Sequence, residues 1–306
     1  MRSLLSIVLV AGCSSSPAKL TADVVATFVP QQGQLPEGLA RRDGKTYVGF
    51  APGAAIVEVD AAGTTTPFAT VPSTFGGSKG FTLGLAFDAA GQLYIAQASF
   101  DPSVVPGIYR VPAGGGAATA PWASDPAMTF PNGLAFTASG QLFVADSTGA
   151  VFAIDTAGHV AVWKRDPLLV GDPHACPGVL PMPPIGANGI VVTATDVWVT
   201  NTDHGALVRI PIRADGSAGD ATAVVSDCAL AGADGIALGH DGAFVAAINA
   251  KDELVRITQS GSFRTLVAGP PLDFPASVVI DGKSTFATAA AFVTAQAGHP
   301  ALLEIH

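Results

Sequence analysis

A short phrase recurs along this chain: Pro36-Glu37-Gly38-Leu39, Pro131-Asn132-Gly133-Leu134, Ala187-Asn188-Gly189-Ile190 and Ala233-Asp234-Gly235-Ile236, each ahead of an apolar run and a turn. Two weaker copies, Thr82-Leu83-Gly84-Leu85 and Pro275-Ala276-Ser277-Val278, complete a set of six. The second position of the phrase therefore reads Glu37, Leu83, Asn132, Asn188, Asp234 and Ala276, at intervals of 46, 49, 56, 46 and 42 residues. A period of that length fits four short strands per repeat, which is the blade of a β-propeller. A helical solenoid would need amphipathic helical patterns, and the sequence offers none.

Within a repeat, the phrase feeds a run such as Gly84-Leu85-Ala86-Phe87, a turn such as Ala89-Ala90-Gly91 and a second run such as Leu93-Tyr94-Ile95-Ala96. Third strands end in patterns such as Ile108-Tyr109-Arg110-Val111, and fourth strands are expected at 65–71, 117–123, 159–164, 221–226 and 262–267. That leaves the sixth repeat, which ends on its third strand, one strand short. The run at 23–29 has the missing pattern. The expected fold is all-β, a six-bladed propeller over residues 22–306 with four strands per blade, closed by the N-terminal strand pairing with the C-terminal blade. Such closure removes the free sheet edges that invite aggregation.

The chain of 306 residues can bury a large core as one domain, and the 35 Gly and 23 Pro fall mainly between apolar runs, as turn punctuation for many short strands. Charged residues make up 13% and the net charge is −9, with no Lys/Arg cluster, which argues against nucleic acid as a partner. At the N-terminus, Arg2 precedes the apolar stretch 4–10, and Val10-Ala11-Gly12-Cys13 resembles a bacterial lipoprotein signal with Cys13 as the lipidated residue. Residues 1–12 are then a signal peptide and 13–21 a tether. The expected location is the bacterial cell envelope, on its periplasmic or outer-membrane face, with the membrane touched only through the lipid. No other stretch is long and apolar enough to span a bilayer. Cys176 and Cys228 remain, an even pair in an exported chain and a disulfide candidate between loops on one face of neighbouring blades.

Inner strands of a propeller run along its channel, so residues at their starts crowd together at one mouth. Glu37, Asn132, Asn188 and Asp234 would form a ring of two carboxylates and two amide carbonyls, with no His or Cys. Such a set suits Ca²⁺, or another hard divalent cation, with open positions left for water or substrate. Asn-Gly and Asp-Gly are also common turn dipeptides, and glycine at a repeated strand start can reflect close backbone approach alone. Turn chemistry does not account for Glu37.

The residues at this position resemble those of the senescence marker protein, gluconolactonase and luciferin-regenerating enzyme family, and more distantly diisopropylfluorophosphatase. These are six-bladed, calcium-dependent hydrolase propellers with a metal at the channel mouth. The resemblance covers nearly the whole chain after the tether. It implies metal ligation by Glu37, Asn132, Asn188 and Asp234, with Asp234 also the catalytic base or nucleophile. Its implied substrate is a small lactone or ester, handled by a monomer. The expected mouth is poor in Arg, Tyr and His, which fits a sugar lactone badly. An apolar lactone or ester suits Leu83, Phe100, Phe130 and Phe274 better.

Asp146, Asn201 and His204, which follow second strands, and Leu83 in its slot are candidates for substrate contact or an outer shell around the metal. His174 lies in the longest insertion, a candidate cover for the mouth. Gly76-Gly77-Ser78-Lys79-Gly80 has the spacing of a serine-hydrolase elbow but not the strand before it or the helix after it. Gly114-Gly115-Gly116 lacks the Lys-Ser/Thr ending of a phosphate loop and reads as a hairpin turn. Two functions compete: a lipid-anchored, metal-dependent hydrolase of lactones or related esters, and a non-catalytic lipoprotein propeller that binds a ligand or protein.

Overall fold

Six sheets follow one another along the chain, and their inner strands touch in sequence order, the last touching the first. The computed structural model describes residues 20–72, 80–177, 183–294 and 299–306. Cys13, the signal segment 1–12, most of the tether and the Gly76–Lys79 stretch lie outside the described residues. Blade 3 is representative: Pro131–Phe136, Leu142–Asp146, Ala150–Ile154 and Val160–Arg165 pair in that order, inner strand to outer.

The apolar residues do not form one central core. Among the described residues they form six slabs, each between two neighbouring blades, and a small seventh cluster of Phe274, Ala276 and Ala290 within blade 6. Leu142 and Val144 of blade 3 pack with Tyr94 and Ile108 of blade 2, while Phe143 and Ala145 of the same strand pack with Val197 and Val199 of blade 4. A middle strand is therefore apolar on both faces, and Leu142–Asp146 is buried at every position. Each fully buried Leu, Val or Phe side chain contributes about 1.5–3 kcal/mol, so much of the stability resides between blades.

The ring closes as expected. Ala22–Thr27 pairs antiparallel with Ala301–Ile305, the third strand of blade 6, and Ala26, Phe28 and Leu302 seal this blade against Val48 and Phe50 of blade 1. The register also locates the outer ends of the two closing strands. Ala22 lies opposite Ile305, and Ile305 opposite Thr285, at the end of the sheet away from Pro275 and the channel mouth.

Blade 2 departs from the regular pattern. Its sheet has three strands, Gly80–Phe87, Leu93–Ser99 and Gly107–Val111. Across the region 117–123 only Ala123 bridges Ile108. The turn at Gly114–Gly116 instead sends Gly116–Ala117 alongside Ala69 and Thr70 of blade 1, in parallel. Pro121 has no N–H to offer a ladder, so pairing resumes at Trp122 and Ala123, whose N–H groups donate to the Ile108 carbonyl.

Candidate active site at the channel mouth

Each inner strand carries a register shift at the repeated phrase: between Pro36 and Gly38, Thr82 and Leu85, Pro131 and Leu134, Ala187 and Ile190, Ala233 and Ile236, and Pro275 and Val278. A bulge re-aims the side chain that it carries, and six in register re-aim six side chains alike. The glycine of the phrase has a separate cause. A Cβ on Gly38, Gly84, Gly133, Gly189 or Gly235 would collide with the carbonyl oxygen of the next slot residue: Leu83, Asn132, Asn188, Asp234 and Ala276 in turn. Glycine thus lets the inner strands crowd the axis, while the slot side chain is left for other work.

Glu37, Leu83, Asn132, Asn188 and Asp234 line one cavity of about 390 Å³. Hydroxyls on the neighbouring strand orient the two amides. Asn132 Nδ2 donates to Ser147 Oγ at 3.3 Å, and Ser147 Oγ donates to the Ala187 carbonyl at 3.0 Å. Asn188 Nδ2 donates to Thr202 Oγ1 at 3.0 Å, which donates to the Ala233 carbonyl at 2.8 Å. With the NH₂ groups engaged in this way, each amide keeps its carbonyl oxygen for the cavity. Asp234 Oδ2 accepts from Asn249 Nδ2 at 3.1 Å.

Glu37 and Asp234 are the two slot carboxylates, and a third carboxylate, Asp203, also lines the cavity. Glu37 is 6% exposed and its Oε2 has no hydrogen-bond partner. Burial, and then the charge of Asp234, push its carboxyl well above the usual range. Burial pushes Asp234 up to about 7, against the opposing pull of hydrogen bonds from Asn249, Asn188 and the Gly235 N–H. No Arg, Lys or His is among the described residues lining the cavity. Nor do three His, Cys, Asp or Glu side chains converge anywhere among the described residues, so a cation here would depend on the two asparagines. An unpartnered buried carboxylate oxygen, a second carboxylate and two oriented amide carbonyls fit a hard divalent cation.

The outer-shell expectations fall one residue from where the structure places these partners. Asp146 Oδ2 accepts from the Phe130 N–H, and its Oδ1 from the Thr148 N–H. Asn201 donates to the carbonyls of Leu168 and Val170. Both tie down loops and neither lines the cavity. The residues that reach the slots are the next in each chain, Ser147, Thr202 and Asn249. Their N–H groups donate to the carbonyls of Phe130, Gly186 and Gly232, which places them at one register position in blades 3, 4 and 5. His204 opens onto a separate groove with Arg165, Asp166 and Asp172.

The rest of the cavity is mostly apolar. Phe100, Phe130 and Phe274 line it, as do Phe81, Phe292 and Val293, which sequence reasoning did not single out. Cys176 and Cys228 form a disulfide. It ties the insertion ahead of blade 4 to the turn Cys228–Leu230 ahead of blade 5. Pro183 and Ile185 of that insertion reach the cavity, with the Ile185 N–H held by Asp203 Oδ2 at 2.9 Å. His174 is exposed on the same insertion and does not line the cavity.

No protein-family model matches the sequence, and no curated protein matches it. Solved structures do resemble it. A gluconolactonase from Xanthomonas campestris superposes with a TM-score of 0.68 at 15% identity, over 95% of both chains. Regucalcin from Agrobacterium tumefaciens, a calcium-binding protein, gives 0.64 at 16% identity over 94% of this chain and 92% of its own. Virginiamycin B lyase from Staphylococcus aureus gives 0.54 at 16% identity over 89% and 82%. One fold thus hosts proteins of different names and chemistries, and function is carried by sites grafted on it. The chain is a six-bladed β-propeller whose structural neighbours include gluconolactonase and regucalcin.

Proposed function

We propose that this protein is a metal-dependent hydrolase of lactones or related esters, lipid-anchored through Cys13 in the bacterial cell envelope. Glu37, Asn132, Asn188 and Asp234 would hold Ca²⁺ or another divalent cation. The observation that carries this reading is Glu37: a buried carboxylate oxygen without a partner, in a cavity shared with Asp234 and with no cationic side chain among its described lining. Leaving such a group unsatisfied costs free energy that a bound cation removes.

Bound at these four residues, a divalent cation supplies Lewis-acid polarisation of an acyl oxygen. The chain's own groups do the rest. Asn249 holds the Asp234 carboxylate in place. Asp234 would take the proton of a water that adds to the acyl carbon and return it to the alkoxide oxygen as the acyl C–O bond breaks, or itself attack that carbon to form an anhydride that water then hydrolyses. Ser147 and Thr202 keep the two amides turned to the cavity.

The test is hydrolysis of a panel of lactones and aryl esters by the purified protein, with and without chelator, beside Asp234→Ala. Activity that chelation removes, that Ca²⁺ restores and that the variant lacks would establish the reading. Stoichiometric metal with no turnover across the panel would move the assignment to a ligand- or protein-binding propeller. The apolar rim favours that second reading, with Phe100 58% and Val293 60% exposed.

A further inference from the structure

The ring is chemically lopsided, and the asymmetry repeats at three independent register positions. The first is the slot itself, polar in blades 1, 3, 4 and 5 but Leu83 in blade 2 and Ala276 in blade 6. The second, at the end of each second strand, is Ser147, Thr202 and Asn249 in blades 3, 4 and 5, but Ala51, Ala98 and Ala290 in blades 1, 2 and 6. The third lies two residues ahead of the slot. It reads Leu35, Phe81, Phe130, Gly186, Gly232 and Phe274 around the ring. Large apolar side chains thus stand at this position in blades 6, 1, 2 and 3, and glycine in blades 4 and 5, where a Cβ would collide with the Leu169 carbonyl and with Asn249 and Ala250 respectively.

The phenylalanines are grouped. Phe100 packs on Phe81 and on Phe130, each with ring centroids 5.6 Å apart, and Phe274 packs on Phe292 at 5.5 Å. Blades 3 and 6 lie opposite in a ring of six, so Phe130 and Phe274 approach the channel from opposite sides. Phe274 stands with φ of 53°, a costly conformation for a bulky residue. Its N–H is held there by Asp252 Oδ1 at 2.7 Å. No Arg, Lys, His or Tyr is among the described lining residues. The lining thus adds no basic side chain to hold a phosphate or carboxylate beside the proposed cation, and little of the dense hydrogen bonding that a polyhydroxylated ring requires.

We propose that the substrate is a neutral lactone or ester bearing an alkyl or aryl group. That group is gripped between the two phenylalanine clusters, and the reacting oxygens sit over the polar slots of blades 3, 4 and 5. The cavity of about 390 Å³ is at the small end for ligand sites, which suits one ring and a short substituent. This inference rests on the hydrolase reading for its ester chemistry and on the walls alone for the class of substituent.

The test has two arms, so that the two claims fail separately. In the first, kcat/KM of the calcium-loaded protein is compared for δ-decalactone and glucono-δ-lactone. The expected preference for the alkyl lactone is at least tenfold, and Phe100→Ala and Phe292→Ala each reduce that ratio several-fold. In the second, calorimetry compares binding of a δ-lactam carrying the same pentyl chain with binding of unsubstituted δ-valerolactam. At least tenfold tighter binding of the pentyl lactam supports the proposal even if no lactone is turned over, in which case only the hydrolase reading falls. Preference for the sugar lactone, or equal binding of the two lactams, overturns it.

Discussion

Asn249 Nδ2 lies 3.1 Å from Asp234 Oδ2, and with Asn188 and the Gly235 N–H it holds the carboxylate whose charge bears on Glu37 across the cavity. Replacing Asn249 by Ala should leave the fold intact and weaken Ca²⁺ binding roughly 10- to 100-fold, as loss of a partner to a metal ligand usually does. Calorimetric titration of the metal-free protein measures this. An affinity within twofold of the parent would show that Asn249 does not position Asp234.

Glu37 and Asp234 also set how stability varies with pH. Both carboxyls are raised in the folded state, Asp234 to about 7, whereas in the unfolded chain they titrate near 4. Between those values the folded protein binds more protons than the unfolded one, so stability falls as pH rises. The metal-free protein should therefore resist urea better at pH 5 than at pH 8. A bound cation displaces these protons, so Ca²⁺ should shrink or invert the difference. Unfolding curves at the two pH values, with chelator and with calcium, measure both effects. Equal stability of the metal-free protein at pH 5 and pH 8 would contradict the buried pair.

Glycine in the phrase serves packing, and this can be separated from ligation. Gly133→Ala would force a methyl group into the Asn188 carbonyl and should cost about 1–3 kcal/mol, as overpacking does. Gly114→Ala, in an exposed turn with nothing within 4 Å of the added carbon, should stay within about 0.5 kcal/mol of the parent. Chemical denaturation of the two variants provides the comparison, and equal midpoints would remove the close-approach argument.

The slot ring was legible because a repeat reports the same geometric position six times, and Glu37 stood out where turn chemistry could not explain it. The second strands were harder to phase. Leu142–Asp146 is buried on both faces, so no polar-out, apolar-in alternation shows which residue points where. Asp146 and Asn201 therefore stand out in the sequence in place of Ser147 and Thr202, whose hydroxyls donate to carbonyls of the next blade. Asn249 carried even less signal, since its register position holds Ser, Thr and Asn in successive blades. The irregular edge of blade 2 was missed for a related reason: the run 117–123 has strand composition, and Pro121 alone marks the break. Phe81 and Phe292 could have been found by aligning the repeats two residues before the slot and beside the last insertion.

Cys176 and Cys228 are 52 residues apart, and a bridge closing a loop of that length contributes about 2–4 kcal/mol. Reduction, or Ser at both positions, should lower the thermal midpoint by several degrees and expose the segment ahead of blade 4 to protease. Limited proteolysis followed by mass analysis locates the cuts. If cleavage is unchanged on reduction, the bridge does not hold the insertion over the mouth.

Closure of the ring has an orientational consequence. Thr21 and His306 exchange backbone hydrogen bonds at 3.0 Å, and this meeting of the two ends occurs at the far rim from the slots, beside the Ala22–Ile305 pair. A fastening through the strand Ala22–Thr27 or through Ala301–Ile305 would therefore leave the propeller at the rim opposite its cavity.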